Sequence, residues 1–334
     1  MSFELYLKRN QLKMNKLVAS FYERRGGGDI NKYLYNPLEA YSHNAGKRHR
    51  PLICLLACEA VGGDPHKAET SAAAIEHFHT AALIHDDIQD EATTRRGEPC
   101  FHIKEGVALA INAGDLALSQ VTGAVVADPL LDDTTKIRVL DELVEMTTRT
   151  IEGQALDIGW VRDNRFDITI EDYLMMANHK TAYYSGAVPL AIGAIIGGAD
   201  ERTVEALRSF GMATGLAFQI QDDILNLAGK DRSKDFRGDI TEGKRTLIAI
   251  HALNHSSGAD HERLLELLQA HTTDANELHE AVELIRASNS IDFASDYALE
   301  LVQVAKAQLQ DVLPESRAKE LLLAMGDFFV ARSN

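Results

Sequence analysis

Two clusters of carboxylates, each closing an apolar helical run, are the residues best suited to chemistry in this sequence. They are Asp86, Asp87 and Asp90 after "TAALI", and Asp222 and Asp223 with Asn226 in "FQIQDDILNLAG". Residues four apart on a helix share a face, so like charges meet beside an apolar core. Hard divalent ions relieve such repulsion through oxygen ligands. One cluster alone is also compatible with a solvated acidic helix end, but two of matching form predict magnesium binding.

Basic residues are concentrated in four short segments. They are Lys47, Arg48 and Arg50 in "AGKRHRP", Arg95 and Arg96 in "TTRRGE", Lys180 in "NHKTAYY", and Lys234, Lys244 and Arg245 in "KDRSKDFRGDITEGKRT". Arginine forks and lysine ammonium groups suit phosphate oxygens. Each segment by itself is compatible with a solvated surface. Together with metal-binding carboxylates, the segments predict a ligand that carries one or two diphosphate groups.

Helices must position both kinds of residue, because strand patterns are nearly absent and apolar residues recur at three- and four-residue steps. The longest predicted helices cover "DPHKAETSAAAIEHFHTAALIHDDIQDE", "TTKIRVLDELVEMTTRTIEGQALDIGW", "TIEDYLMMANHKTAYYSGAVPLAIGAIIGG" and "ADERTVEALRSFGMATGLAFQIQDDILNLAG". Asp64 and Pro65 mark the start of the first helix, and we expect the third to break near Lys180. Several helices are apolar nearly all round, which predicts burial in a bundle. We therefore expect one all-α domain spanning residues 1–334.

Composition narrows the possible partners and compartment. The chain has 334 residues and a formal net charge of −16, which disfavours a nucleic-acid partner. No apolar run reaches the roughly 18–20 residues that a membrane span needs, and the charged N-terminus "MSFELYLKRNQLKMNK" lacks a signal-peptide core. Cys54, Cys58 and Cys100 are expected to be reduced thiols, because no ligand spacing pairs them. These features predict a soluble cytosolic protein.

Six segments, in the same order along most of the chain, resemble the trans-isoprenyl diphosphate synthases of the farnesyl and geranylgeranyl type. They are "GKRHRP", "EHFHTAALIHDDIQDEATTRRG", "GQALDI", "HKTA", "FQIQDDILN" and "GDITEGKRT". The resemblance implies a bundle of long helices around a deep central cavity, assembled as a homodimer. It also implies a magnesium-dependent prenyltransferase that condenses isopentenyl diphosphate head to tail with dimethylallyl, geranyl or farnesyl diphosphate.

The resemblance further implies a role for each matching residue. Three magnesium ions would be held by Asp86 and Asp90 from one side and by Asp222 from the other. The allylic diphosphate would be contacted by Arg95, Lys180, Lys234 and Lys244. Isopentenyl diphosphate would be held by Lys47, Arg50, His79 and Arg96, and the reaction zone lined by Thr181 and Gln219. The alternative for His79 is a buried core histidine.

Two departures from the family pattern bear on these roles. Asn226 stands where the second acidic motif would end in aspartate, which puts a strong metal contact there in doubt. Asp235 occupies the usual place of the lysine before "GDITEGK". We assign that lysine's role to Lys234, with Lys230 as the alternative.

The helix that leads to Asp86 predicts the product length. Ala82 and Ala81 lie one turn back, and Phe78 lies a turn deeper on the same face. One turn rises about 5.4 Å, close to one isoprene unit. Two small residues above a bulky one predict growth to twenty carbons, giving geranylgeranyl diphosphate. A farnesyl or twenty-five-carbon product stays open, as does ordinary core packing of Phe78.

Three other functions fit part of the sequence. A terpene cyclase would share the first acidic cluster but leave "GKRHRP" without a role. An HD-type metal phosphohydrolase could use His79, His85 and Asp86 as ligands but leaves "QDDILN" unexplained. A non-catalytic helical subunit should lack a complete metal set, whereas this chain has one by the pattern above.

Overall fold

The computed structural model describes residues 2–19, 27–43, 46–228 and 237–331, and most of these are helical. The α-helices of this described part are α1 (Phe3–Ala19), α2 (Gly28–Ile30), α3 (Asn36–Ser42), α4 (His49–Ala60), α5 (Glu69–Gln89), α6 (Phe101–Glu105), α7 (Val107–Ala127), α8 (Asp133–Arg162), α9 (Ile170–Ala177), α10 (Val188–Ile196), α11 (Glu201–Ala228), α12 (Gly238–Thr241), α13 (Leu247–His255), α14 (Gly258–Gln269), α15 (Ala275–Ala287), α16 (Ser290–Gln310) and α17 (Arg317–Val330). The predicted all-α fold class is confirmed.

The long helices lie where the sequence predicts them, with one difference. The Asp64 side chain accepts a hydrogen bond from the His66 amide at 3.0 Å, and Pro65 opens a 3-10 turn that leads into α5. The predicted break near Lys180 is wrong. The chain continues from α9 through a π-helical segment, Asn178–Ala187, into α10. A π-helical turn absorbs an extra residue by widening the helix, so the chain needs no break.

A small hairpin follows α5 and was not predicted. Strands β1 (Thr94–Arg95) and β2 (Glu98–Pro99) pair antiparallel, with Thr94 opposite Pro99 and Arg95 opposite Glu98. Both turn residues have positive φ, 56° at Arg96 and 80° at Gly97, as in a type I′ turn. The turn therefore fixes the direction of the arginine pair beside the end of α5.

Contacts group the chain into two compact units, each built from separate segments. Unit 1 comprises Met1–Glu145, Val188–Arg208 and Leu309–Met325, and unit 2 comprises Met146–Ala187, Ser209–Gln308 and Gly326–Asn334. The predictions of one domain over residues 1–334 and of a deep central cavity stay predictions.

Unit 1 is built on close packing between helices with small residues at their contacts. Helix α5 packs along α7, and α4 packs along α10. A Cβ atom added at Gly193 on α10 would lie 2.2 Å from the carbonyl oxygen of Cys54 on α4, so only glycine allows this approach. Small residues of α7, among them Ala110 and Ala113, share a core cluster with Ile84 of α5. This packing supports the end of α5 that carries the first acidic cluster.

Unit 2 has its own apolar core. Helix α13 packs against α9, α14 and α15. The core cluster includes Tyr173 of α9, Ile220 of α11 and Leu247 of α13. These helices therefore fix the end of α11 relative to α9, and the polar residues described below lie between them.

The three cysteines are buried free thiols, as predicted. The prediction that no apolar segment is long enough to span a membrane has one exception, α7. By length and composition, α7 could cross a membrane: it has 21 residues with a mean hydropathy of 1.3 over its most apolar stretch. Only 33% of that stretch is buried. Helix α7 therefore leaves an apolar surface exposed on unit 1.

Candidate active site

The first acidic cluster contains aspartates in two different environments. Asp86 and Asp90 are partly exposed, and Asp90 ends α5 with its amide bonded to the Asp86 carbonyl at 2.9 Å. Asp87 is fully buried. Its Oδ2 atom accepts a hydrogen bond from the Tyr41 hydroxyl at 2.9 Å, and its Oδ1 atom accepts one from Arg95 Nε. Asp86 and Asp90 therefore differ from Asp87 in exposure, and metal binding by all three stays a prediction.

Arg95 is bound to the aspartates themselves in this structure. Its Nη2 atom donates to Asp86 Oδ2 at 3.0 Å, in addition to the contact with Asp87. Burial alone would lower the pKa of Arg95, but Asp86 and Asp87 outweigh it and raise the pKa. Arg95 is thus a permanent cation at the edge of the first cluster.

Three of the residues predicted to hold isopentenyl diphosphate, Arg50, His79 and Arg96, interact with one another in unit 1. Burial, together with the charges of Arg50 and Arg96, lowers the pKa of His79 well below its ordinary value. The imidazole is therefore neutral, and it adds a polar group without adding to the positive charge. Arg50 and His79 are buried, and Lys47 is exposed at the start of the same segment.

The second acidic cluster, in unit 2, repeats the contrast between exposed and buried aspartates. Asp222 is partly exposed and Asp223 is buried. Asp223 accepts hydrogen bonds from the Tyr173 hydroxyl and from the Gln219 amide, both at 2.7 Å. Thr181 donates to Gln219 at 2.7 Å, so the two residues predicted to line the reaction zone are joined.

Asn226 and Lys234 are two further residues of this region with predicted roles. The Asn226 side-chain oxygen accepts a hydrogen bond from the Asp239 amide at 3.2 Å. This contact links Asn226 to the start of α12, and its metal contact, which the sequence already puts in doubt, stays untested. Lys234, predicted to bind the allylic diphosphate, lies outside the described residues, as does its alternative Lys230.

A buried carboxylate joins the two lysines that do lie in the described part of unit 2. Asp157 Oδ2 is 2.5 Å from Lys180 Nζ and 3.2 Å from Lys244 Nζ. Burial alone would raise the pKa of Asp157, but the two lysines outweigh it and lower the pKa to about 2. Asp157 lies in the segment "GQALDI", which carries the family resemblance, but the sequence predicts no role for it. The signal in the sequence is the presence of an aspartate in that segment, one turn after Gln154.

The π-helical segment determines where Lys180 and Thr181 lie. A Cβ atom added at Gly153 on α8 would lie 2.2 Å from the Lys180 backbone nitrogen. The backbones of α8 and the π-helical segment are therefore in contact at Gly153, with Asp157 one turn further along α8. π-Helical turns occur often at functional sites.

One pocket in unit 2 gathers these polar residues. It is lined by Asp157, Tyr173, Met176, Ala177, Lys180, Thr181, Gln219, Asp223, Asp239, Lys244, Arg245 and Thr246. Burial raises the pKa of Asp223 to about 7, although the hydrogen bonds from Tyr173 and Gln219 lower it. Burial and Asp223 also raise the pKa of Asp239. Displaced carboxyl pKa values beside two lysines are typical of a functional site.

The predicted chain-length residues lie on different faces of α5. Phe78 is 2% exposed and Ala82 is partly exposed, and their spacing places both on the Asp86 face. Ala81 is fully buried in the core cluster with Ile84 and the alanines of α7. Ala82 and Phe78 are therefore better placed than Ala81 to meet a chain that grows from Asp86. All three assignments stay predictions.

Known proteins of one family match most of the chain. The polyprenyl synthetase family model matches residues 31–285. A short chain isoprenyl diphosphate synthase of Methanothermobacter thermautotrophicus is 41% identical, over 86% of this chain and 87% of that protein. A geranylfarnesyl diphosphate synthase of Natronomonas pharaonis is 39% identical over 90% of both.

Solved structures agree with these sequence matches. The geranylgeranyl pyrophosphate synthetase of Pyrococcus horikoshii has a TM-score of 0.89 at 34% identity, covering 99% of this chain and 98% of that one. The geranylgeranyl pyrophosphate synthase of Corynebacterium glutamicum, solved with isoprenyl diphosphate and magnesium, has a TM-score of 0.84 at 27% identity, covering 99% and 96%.

The chain belongs to the polyprenyl synthetase family, and its all-α fold is the one shared by these synthases. It is a prenyltransferase that makes short-chain prenyl diphosphates. Its relatives at 33–41% identity bear the names of such synthases. The predicted family, fold class and enzyme class are confirmed. The terpene cyclase, the phosphohydrolase and the non-catalytic subunit are not supported by these comparisons.

Proposed function

We propose that this enzyme joins isopentenyl diphosphate to an allylic diphosphate with the help of magnesium, and that its main product is geranylgeranyl diphosphate. The observation that carries the proposal is the Asp157–Lys180–Lys244 cluster in the pocket of unit 2. Two lysine ammonium groups held on one buried carboxylate keep a net positive charge, which suits a diphosphate. Lys180 and Lys244 are therefore the proposed partners of the allylic diphosphate.

The aspartates fit magnesium. Mg²⁺ uses few carboxylates and completes its shell with water and phosphate oxygens. Asp86 and Asp90 in unit 1 and Asp222 in unit 2 are the proposed ligands, and three ions is the number that the family resemblance implies.

The reaction needs charge stabilisation and orientation without a protein nucleophile. The allylic carbon–oxygen bond breaks, and the isopentenyl double bond supplies the electrons of the new carbon–carbon bond. A proton then leaves, and the released diphosphate is its proposed acceptor. Bound magnesium would neutralise charge on the leaving diphosphate, and Lys180 and Lys244 would do the same from the protein side.

Isopentenyl diphosphate is assigned to the basic residues of unit 1. Arg50 brings a guanidinium fork from a buried position and Arg96 brings one from an exposed position, and the charges of both act on the neutral imidazole of His79. Lys47 lies at the exposed edge of the same segment. The assignment separates the two diphosphates by the residues that bind them, and kinetic constants for each substrate can test it.

The proposed twenty-carbon product rests on Phe78 and Ala82. Ala82 leaves space one turn from Asp86, and Phe78 closes that face a turn deeper. The relatives include both a geranylfarnesyl synthase and geranylgeranyl synthases, so twenty-five carbons is the competing outcome. The test is chromatography of the products formed from labelled isopentenyl diphosphate with dimethylallyl, geranyl or farnesyl diphosphate. A dominant twenty-carbon product supports the proposal, and a dominant fifteen- or twenty-five-carbon product contradicts it.

We also propose that the enzyme is a homodimer through the apolar surface of unit 1. Exposed apolar residues recur along α7 and the first part of α8 at helical spacing. They are Val107, Ile111, Val126, Ile137 and Val144. Contiguous exposed apolar surface is typical of protein interfaces. Sedimentation equilibrium should give twice the 36.7 kDa mass of the chain. The double variant Ile111→Asp and Ile137→Asp should have the mass of a monomer.

A further inference from the structure

Arg48 connects three helices of unit 1 through one guanidinium group. Its Nε atom donates to Asn15 of α1 at 2.9 Å, and its Nη2 atom donates to the Ser42 carbonyl at the end of α3. Its Nη1 atom donates to Glu76 of α5 at 2.7 Å. The Arg48 and Glu76 side chains are only 4% and 2% exposed, so this ion pair is buried.

Arg48 lies in a backbone conformation that a non-glycine residue avoids. Its φ and ψ are 54° and 35°, in the left-handed region, and it stands directly before α4. Such conformations persist only where surrounding contacts determine them. The contacts of the Arg48 guanidinium supply that constraint. They therefore set the path of the chain at Lys47, the preceding residue, and at Arg50, two residues further on.

Glu76 also faces the other cations of this region. Burial lowers the pKa of Arg96, and the negative charge of Glu76 opposes that effect. A Cβ atom added at Gly46 would be 3.2 Å from Arg96 Nη1 and 3.4 Å from Arg48 Nη1, so both guanidinium groups pack on this glycine. Within the described part of the chain, the second oxygen of Glu76, Oε2, is buried without a hydrogen-bond partner. Glu76 is thus the anion next to two neighbouring guanidinium groups.

We propose that Glu76 and Arg48 are positioning residues for isopentenyl diphosphate: the buried pair holds the segment 46–50 in the shape that presents Lys47 and Arg50 beside His79 and Arg96. The proposal rests on the assignment of isopentenyl diphosphate to those four residues. Glu76 itself does not bind the substrate, because a carboxylate repels a diphosphate. It keeps the cations in place before the substrate arrives.

Because Glu76 is negatively charged, an electrostatic role and a positioning role predict opposite changes in the KM for isopentenyl diphosphate. Removing a negative charge near an anion site should tighten anion binding if only long-range electrostatics acts. Losing a positioning contact should weaken it. Glu76→Gln keeps the shape and removes the charge, so we expect the KM for isopentenyl diphosphate to rise at least tenfold. The KM for the allylic substrate should stay within twofold.

A matched control is the Glu142–Arg208 pair of the same unit, with a 2.5 Å contact and side chains 12% and 17% exposed. Glu142→Gln removes a comparable ion pair away from the basic residues and should leave both KM values within twofold. If Glu76→Gln does not fold, Arg48→Lys decides. Lysine keeps the charge but cannot reach Asn15, Ser42 and Glu76 together. A raised KM for isopentenyl diphosphate in Arg48→Lys supports the proposal, and an unchanged one overturns it.

The same KM measurements distinguish the positioning role of Glu76 from the assignment of isopentenyl diphosphate to the basic residues of unit 1. If Arg96→Ala raises the KM for isopentenyl diphosphate while Glu76→Gln leaves it unchanged or lowers it, the positioning role is wrong and the assignment stands. If Arg96→Ala also leaves this KM unchanged, the assignment fails, and the positioning role fails with it. A rise in both variants but not in Glu142→Gln supports both.

Discussion

Replacing Asp157 with asparagine removes the carboxylate that holds Lys180 and Lys244 in the pocket of unit 2. The side chain keeps nearly the same shape and loses its charge. In the wild-type enzyme the ammonium groups of Lys180 and Lys244 share the Asp157 carboxylate, and in the variant they repel each other without this anion. We expect them to move apart, away from the positions in which both can contact one diphosphate.

The cost to folding can be worked from the pKa. Lys180 and Lys244 lower the pKa of Asp157 to about 2 in the folded protein, against about 3.9 in the unfolded chain. Two pKa units correspond to roughly 2–3 kcal/mol of stability at neutral pH. Because the folded pKa is the lower one, this contribution is complete above about pH 4 and is lost as the pH falls toward 2. Asp157→Asn should lose it at neutral pH.

The effect on catalysis is measured by steady-state kinetics with both substrates. We expect kcat to fall about 10- to 100-fold, equivalent to about 1.4–2.7 kcal/mol of transition-state stabilisation. Urea unfolding should show a stability difference from wild type that narrows below about pH 4. Asp163→Asn is the control: Asp163 is an exposed aspartate paired with Arg162 just after α8. If Asp157→Asn keeps kcat within twofold while Asp163→Asn behaves like wild type, the lysine-holding role is refuted.

Three further predictions concern the ligands, the two substrates and the product. Asp86→Ala and Asp222→Ala should each lower kcat at least about 100-fold with unchanged circular dichroism, and a near wild-type rate at equal magnesium would contradict the ligand assignment. Arg96→Ala should raise the KM for isopentenyl diphosphate more than that for the allylic substrate, and Lys180→Ala should do the reverse; equal effects would remove this division. Phe78→Ala should shift the products to longer chains on reversed-phase chromatography, and unchanged products from a folded variant would place the end of the cavity elsewhere.

The helices could be predicted from the sequence because apolar periodicity and end signals act locally. Asp64 and Pro65 open the turn before α5 as expected. Helix α11 lies within its predicted segment, and α8 begins one residue before and ends two residues after its own. The π-helical segment Asn178–Ala187 could not be predicted in the same way. It depends on the approach of α8 at Gly153, a residue far away in sequence. The hairpin after α5 was missed because its strands have two residues each and no alternating pattern.

The residue types of the site could be predicted from the sequence, but the different environments of the aspartates could not. The residue pattern alone does not distinguish the two adjacent aspartates of each acidic cluster, and only the family resemblance assigned the metal to Asp86 and Asp222. The structure separates them, because each second aspartate is buried and bonded to a tyrosine hydroxyl: Asp87 to Tyr41, 46 residues earlier, and Asp223 to Tyr173, 50 residues earlier. A buried carboxylate needs such a donor, and a tyrosine at that separation has no local signal. In both clusters, the tyrosine partner supplied by the fold therefore distinguishes the buried second aspartate from the partly exposed first one.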